Sequence, residues 1–202
     1  MIPTDLLLSA YAGGWFPMAV DGGEIRWFSP DPRGVIPLDG FHVPARLARV
    51  VRRGIFRVAI DTAFEAVIRA CAAAERDRDD PGTWISDEIV DSYVALHSRG
   101  YAHSVEAWRG DRLVGGLYGV ALRGAFFGES MFHRETGASK VALVALVDRL
   151  RRCGFVLLDT QWVTAHLEQF GAVEIPRAEY LERLTAALAV QPRPFGMANG
   201  KW

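Results

Sequence analysis

Between Ser139 and Arg152 the apolar residues Leu143, Leu146, Val147 and Leu150 fall three and four positions apart, which gathers them onto one stripe of a helix. Ser139 is placed to cap this helix and Cys153 to close it. Phe64, Val67 and Ile68 recur at the same spacing among alanines and predict a helix over Ala63 to Ala74. Ile85 to Arg99 reads the same way, and so does Arg46 to Arg53, with Leu47, Val50 and Val51 turned inward. A short helix is expected over Pro3 to Ala12, capped by Thr4, with Leu6, Leu7 and Ala10 on its apolar side and Gly13-Gly14 stopping it. Strand-like runs are Ile25 to Phe28, after the Asp21-Gly22-Gly23 turn and ended by Pro30 and Pro32, then Phe56 to Ile60 and Phe155 to Leu158. Ala102 to Trp108, Leu113 to Ala121 and Ala125 to Ser130 are separated only by Gly110-Asp111 and Arg123-Gly124, so they predict an antiparallel meander. The order of three strands, helix and strand implies an α+β domain, a mixed and largely antiparallel sheet flanked by helices. We expect a small N-terminal lobe over residues 1–45, a main domain over 46–190 and a tail over 191–202, with Pro192 to Trp202 poorly ordered.

Composition supports a folded chain, since half of the 202 residues are hydrophobic and 23% are charged. No apolar run approaches the roughly 20 residues that cross a bilayer. Met1 to Ala10 lacks the basic start and cleavage pattern of a secretory signal, so a soluble, cytoplasmic protein with no membrane partner is expected. Cys71 and Cys153 form no Cys-x-x-Cys pair, and the five histidines, His42, His97, His103, His133 and His166, show no metal-binding spacing. Neither a metal nor a cofactor is expected. The net charge of −1 argues against wholesale nucleic-acid affinity, but the distribution is uneven. Arg46, Arg49, Arg52, Arg53 and Arg57 occupy a stretch without an acid, whereas Glu75, Asp77, Asp79, Asp80, Asp87, Glu88 and Asp91 make the next region acidic. The basic stretch is read either as the solvated face of an amphipathic helix or as a phosphate-binding patch.

Several segments occur in a recognisable order. They are Trp27-Phe28-Ser29-Pro30-Asp31-Pro32-Arg33-Gly34, Thr83-Trp84-Ile85, His103-Ser104-Val105-Glu106 and Leu113-Val114-Gly115-Gly116-Leu117-Tyr118-Gly119. Phe126-Phe127-Gly128-Glu129-Ser130-Met131-Phe132, Ala138-Ser139-Lys140, Asp159-Thr160-Gln161, His166-Leu167 and Gly171-Ala172-Val173-Glu174-Ile175-Pro176-Arg177 follow. The series resembles the leucyl/phenylalanyl-tRNA–protein transferases from about Leu6 to about Leu184. The resemblance is to the shorter branch, because longer members carry a further stretch ahead of the Tyr11 region and often an aromatic residue in place of Met18. It implies a GNAT-like acyltransferase fold with a V-shaped opening between central strands. It also implies transfer of Leu or Phe, and of Met as a further candidate, from aminoacyl-tRNA to proteins beginning with Arg or Lys, which marks them for degradation.

An aminoacyl-tRNA ester is already activated, so such an enzyme has to align an amine and stabilise an oxyanion. Asp159 and Gln161 stand two apart at a strand end, and strand alternation puts them on one face. They are read as a catalytic pair or as a strand-terminal pair bonded to backbone or water. A neutral amide is a poor base, so Gln161 is expected to accept a hydrogen bond from the attacking amine while Asp159 orients it or supplies charge. Glu129, between Gly128 and Ser130, is the candidate carboxylate facing the donor ester or the acceptor amine. The resemblance makes Leu117, Phe126, Ser130, Met131, Leu143, Leu146 and Leu158 candidates for the substrate pocket. It makes Trp84 and Tyr93 candidates for adenosine stacking and ester contacts, with Met18 a partial substitute for an aromatic platform. Arg46, Arg49, Arg52 and Arg53 are the candidate tRNA contacts. The enzyme is expected to act as a monomer. Rival readings are an acetyl-CoA-dependent N-acetyltransferase, for which Arg134, Gly137 and Ser139 nearly match a pyrophosphate loop, and a non-catalytic tRNA-binding module.

Overall fold

A computed structural model describes residues 1–20, 23–74 and 83–196. The turn residues Asp21 and Gly22, the acids Glu75, Asp77, Asp79 and Asp80, and the tail from Met197 onward lie outside the described residues. In chain order the elements are α1 (Thr4–Ala12), β1 (Phe16–Ala19), β2 (Ile25–Phe28), β3 (Arg33–Val35), α2 (Ala45–Arg52), β4 (Arg57–Ile60), α3 (Phe64–Ala72) and α4 (Asp87–Ser98). They continue with β5 (Ala102–Arg109), β6 (Arg112–Leu122), β7 (Ala125–His133), α5 (Ala138–Cys153), β8 (Leu157–Gln161), α6 (Ala165–Glu168), β9 (Val173–Ile175) and α7 (Arg177–Ala189).

Strands β1 and β2 form a separate two-stranded ribbon, and the other seven build one mixed sheet in the order β4-β5-β6-β7-β8-β3-β9. The meander β5-β6-β7 is antiparallel as expected, and β7 with β8 is the parallel pair, made possible by the crossover helix α5. Alternation along the strands feeds two cores. Tyr118, Val120, Phe127 and Leu157 join the cluster under α1, α3, α4 and α7, while Val105, Leu117, Phe126 and Leu158 join the cluster under α2 and α5. Gly115 lets α5 start hard against the sheet, because a Cβ there would stand 2.5 Å from the Cβ of Ala138.

Several local expectations are corrected. Strand β3 begins directly after Pro32 and carries part of the first 45 residues into the main sheet, between β8 and β9. Helix α5 starts after Gly137, in a left-handed conformation with φ 88°, so Ser139 lies inside the helix and does not cap it. Pro3 precedes α1 and makes no side-chain cap, leaving Thr4 as a helical residue. On α2, Leu47 is buried, but Val51 is 37% exposed, since the adjacent valines Val50 and Val51 point about 100° apart around the helix and cannot both face α5. The tail expectation also changes for Phe195, which is 3% exposed and packs on Phe126, Phe155 and His103. Arg149 holds this segment by donating to the carbonyl oxygens of Phe195 and Pro194. Truncating Phe195→Ala should therefore destabilise the fold by about 3–5 kcal/mol, read as a lower urea midpoint.

Candidate active site

The registers on either side of β7 and β8 explain where the site opens. Tyr118 pairs with Ser130 and Gly119 with Gly128, so Glu129 is the extra residue of a bulge in β7. On β8, Gly34 pairs with Gln161 and Val35 with Asp159, which leaves Thr160 as the extra residue. The parallel pairing of β7 with β8 covers Ala125 to Phe127 against Leu157 to Asp159 and then ceases. Beyond that point the strands part around a cavity of about 830 Å³, lined among others by Trp84, Glu129, Met131, Leu143, Gln161 and Trp162. Gly34 admits the chain after Gln161, since a Cβ there would meet the Trp162 carbonyl carbon at 2.5 Å.

Glu129 reaches the cavity from its bulge under a set of donors. Tyr11 donates to its Oε1 at 2.8 Å, Gln161 Nε2 to the same oxygen at 3.3 Å, and Tyr93 to Oε2 at 3.4 Å. The two tyrosine hydroxyls are also joined by a very short hydrogen bond. Burial pushes the Glu129 carboxyl up to about 8; the Tyr11 hydrogen bond opposes this, the Asp159 charge adds to it, and Arg33 and the Tyr93 bond oppose it. Both tyrosines are themselves held well above their ordinary range, by burial first and then by the charge of Glu129, so they remain protonated donors.

Asp159 has a different environment from the one expected of it. Its side chain is fully buried, and it takes Arg33 Nε on Oδ1 at 2.9 Å and Arg33 Nη2 on Oδ2 at 2.7 Å. Tyr180 donates to Oδ2 at 2.7 Å and the Gln161 backbone N–H to Oδ1 at 2.8 Å. Four donors occupy its lone pairs, and it does not line the cavity. Asp159 thus holds the backbone of Gln161, not its side-chain amide. The reason is local: after the extra residue Thr160, Gln161 turns to φ 59°, a conformation rare outside glycine, and its N–H swings back onto the carboxylate. Arg33 is fastened in turn by the Gly14 carbonyl at 3.0 Å and lies over the rings of Tyr180 and Phe16.

Of the other residues singled out in the sequence, Met18, Trp84, Leu117, Ser130, Met131, Leu143, Leu146 and Leu158 line the cavity together with Glu129 and Gln161. Tyr93 stands behind Glu129 and off the cavity wall. Phe126 is corrected: it is fully buried in the core under α5, against Phe195, and does not line the cavity. Phe126 pairs with Leu158 where β7 and β8 still run side by side, and the Phe195 ring packs on it there. Arg46, Arg49, Arg52 and Arg53 are exposed on or beside α2, and none makes an ion pair among the described residues. Helix α2 packs on α5, whose opposite side carries Leu143 and Leu146 of the cavity wall.

The sequence model described as leucyl/phenylalanyl-tRNA protein transferase matches residues 35–185, and that of the same family's N-terminal domain matches residues 1–31. The chain belongs to this transferase family. It is 58% identical to the leucyl/phenylalanyl-tRNA–protein transferase of Paramagnetospirillum magneticum over 190 residues, 93% of this chain and 90% of that one. With the Salinibacter ruber transferase it shares 54% identity over 98% of this chain and 85% of that one, and with the Rubrobacter xylanophilus transferase 58% over 91% and 94%.

In this member of the transferase family, four residues close to the chemistry are not singled out by the sequence. Tyr11 reads there as one more inward position of α1, one turn from Leu7. Tyr180 lies in α7, where Tyr180, Leu184 and Ala187 recur at helical spacing, a pattern that marks a helix but not a site. Trp162, 43% exposed, packs edge-on to Phe16 at the cavity mouth. Arg33 does leave a signal, as a lone charge leading the apolar run Gly34-Val35-Ile36. Removing it should be costly, because a buried carboxylate left without its partner loses roughly 3–5 kcal/mol. We expect Arg33→Met to show that loss in urea unfolding, and Arg33→Met combined with Asp159→Leu to recover part of it.

Proposed function

We propose that this chain transfers leucine or phenylalanine, with methionine as a further donor, from aminoacyl-tRNA to the N-terminal Arg or Lys of acceptor proteins, marking them for degradation. It acts as a cytoplasmic monomer, and no helix among the described residues is long and apolar enough to cross a membrane. Besides family membership, the observation that carries this reading is the mixed lining of the cavity: Leu117, Met131, Leu143, Leu146 and Leu158, all in or packed on the apolar cluster under α5, share it with Glu129 and Gln161. An uncharged aliphatic or aromatic side chain suits the leucines by burial and fit. The ester suits Glu129 and Gln161, polar groups fixed before the substrate arrives.

In this reading Gln161 is a positioning group for the attacking amine. With its Nε2 bound to Glu129, its amide oxygen is left to accept from that amine. Asp159 acts through the backbone of Gln161. Glu129, when ionised, favours an acceptor with a basic first residue and disfavours an acidic one, and the Asp159 charge, balanced by Arg33, adds little to that field. Trp84 and Met18 form the platform for the terminal adenosine, and the exposed arginines of α2 take the phosphate backbone.

The direct test is to incubate the purified chain with radiolabelled leucyl-tRNA or acetyl-CoA and a peptide beginning with Arg. Label from the tRNA alone supports the reading; label from acetyl-CoA makes the protein an acetyltransferase, and label from neither leaves a binding module. Since Leu146 and not Phe126 meets the cavity, Leu146→Ala should shift donor use from Leu toward Phe by roughly tenfold, at unchanged acceptor preference. Exchanging Arg46, Arg49, Arg52 and Arg53 for glutamine should weaken tRNA binding. The slope of log affinity against log salt should fall by about 0.7–0.9 for each phosphate that is no longer neutralised.

A further inference from the structure

We propose that Glu129 is the proton acceptor of the transfer step, that Tyr11 and Tyr93 are its positioning residues, and that it returns the proton to the leaving ribose oxygen. This rests on the aminoacyl-transfer reading given above. Asp159 is excluded by its surroundings, with both carboxylate oxygens occupied and no face on the cavity. Gln161 is excluded by its chemistry, since a neutral amide does not take up a proton near neutral pH. The tyrosines stay protonated. Glu129 is the one carboxylate on the cavity wall among the described residues, and it is hydrogen-bonded to the amide that would hold the amine.

Its two oxygens are unequally engaged. Oε1 receives Tyr11 and Gln161, at 2.8 and 3.3 Å, while Oε2 receives only the long 3.4 Å contact from Tyr93. Oε2 is the oxygen left to meet an incoming amine. The groups acting on this carboxyl are Tyr11 from α1, Tyr93 from α4, Asp159 from β8 and Arg33 from β3, with burial the largest influence. Together they set it at about 8, in the range where a general base near neutral pH can both take up a proton and release it.

The step balances without a co-reactant. The neutral amine forms the C–N bond to the ester carbonyl carbon, and the carbonyl pair moves onto oxygen. The nitrogen gives one proton to Glu129. The oxyanion then collapses, the bond from carbonyl carbon to ribose oxygen breaks, and Glu129 passes the proton to that oxygen. An amide and a free ribose hydroxyl result, with Glu129 again ionised.

His166 is the competing base. It lines the same cavity, but its Nε2 is enclosed without a partner and bonds to neither Gln161 nor Glu129. Burial, and then the charges of Lys140 and His133, hold it below its ordinary value, so a His166 base would give a rate profile centred below about 6.5.

The experiment is single-turnover transfer to an Arg-peptide at saturating leucyl-tRNA, from roughly pH 6 to 10, with tRNA affinity titrated separately. We expect the wild-type rate to rise to a plateau with its midpoint at about 8. Glu129→Gln should lose on the order of 10²–10⁴-fold in rate at nearly unchanged tRNA affinity, and Glu129→Asp should recover part of it. Tyr11→Phe and Tyr93→Phe each remove a bond that favours the carboxylate, so each should move the midpoint upward. The ionisation of the peptide amine responds to neither substitution, which separates its limb from that of Glu129. A wild-type midpoint below about 6.5, near-normal rates in Glu129→Gln, or an unmoved midpoint in both tyrosine variants overturns the proposal. A wild type inactive with charged tRNA at every pH overturns the transfer reading itself, and this proposal with it.

Discussion

The buried pair between Arg33 and Asp159 is the contact on which the site is built. Two charges removed from water are stable only when every donor and acceptor is matched, and here the fork of the guanidinium spans both carboxylate oxygens. The match draws together four separate parts of the chain: β3 through Arg33, β8 through Asp159, the turn at Gly14, and α7 through Tyr180. The remaining acceptor position of Asp159 is taken by the N–H of Gln161, the residue with the least comfortable backbone in the site. A charge pair with no access to the cavity thereby dictates the geometry of a side chain that has it.

The second constraint is the parting of β7 from β8. Parallel strands held by α5 would ordinarily continue side by side, and their separation after Phe127 and Asp159 leaves backbone groups facing a cavity instead of a neighbour. One extra residue on each strand marks the place, Glu129 on one side and Thr160 on the other. The polar groups that result are carried by sheet and helix, not by a mobile loop, and the leucines of α5 form a wall of the same space. Apolar selection and polar chemistry are consequently set by one rigid frame.

Much of this fold was legible from spacing. Leu143, Leu146, Val147 and Leu150 announced α5, and the Gly-centred turns announced the meander, because long periodic runs outweigh local ambiguity. The short strands β3 and β9 were not legible, since three residues show no period; β3 owes its existence to β8 and β9 on either side of it, and β9 to β3. The candidate site was readable in outline: Glu129 and Gln161 do meet, at 3.3 Å. Bulges were invisible, because a register shift is a property of two strands and no single strand encodes it. For that reason alternation put Asp159 and Gln161 on one face, whereas the extra residue Thr160 leaves only Gln161 of the two on the cavity. Phe126, placed by resemblance, and Phe195, in a tail without a motif, bury against each other, a contact between distant segments that no local spacing records.

The paired bulges carry a further consequence for how this chain can vary. Side chains in a strand alternate, so losing the single extra residue at Glu129 would turn every later residue of β7 to the opposite side. Met131 would leave the cavity wall and Phe132 would leave the core under α3. A one-residue deletion there is therefore a frameshift in three dimensions, and length at this point of the chain is held as tightly as the identity of any side chain around it.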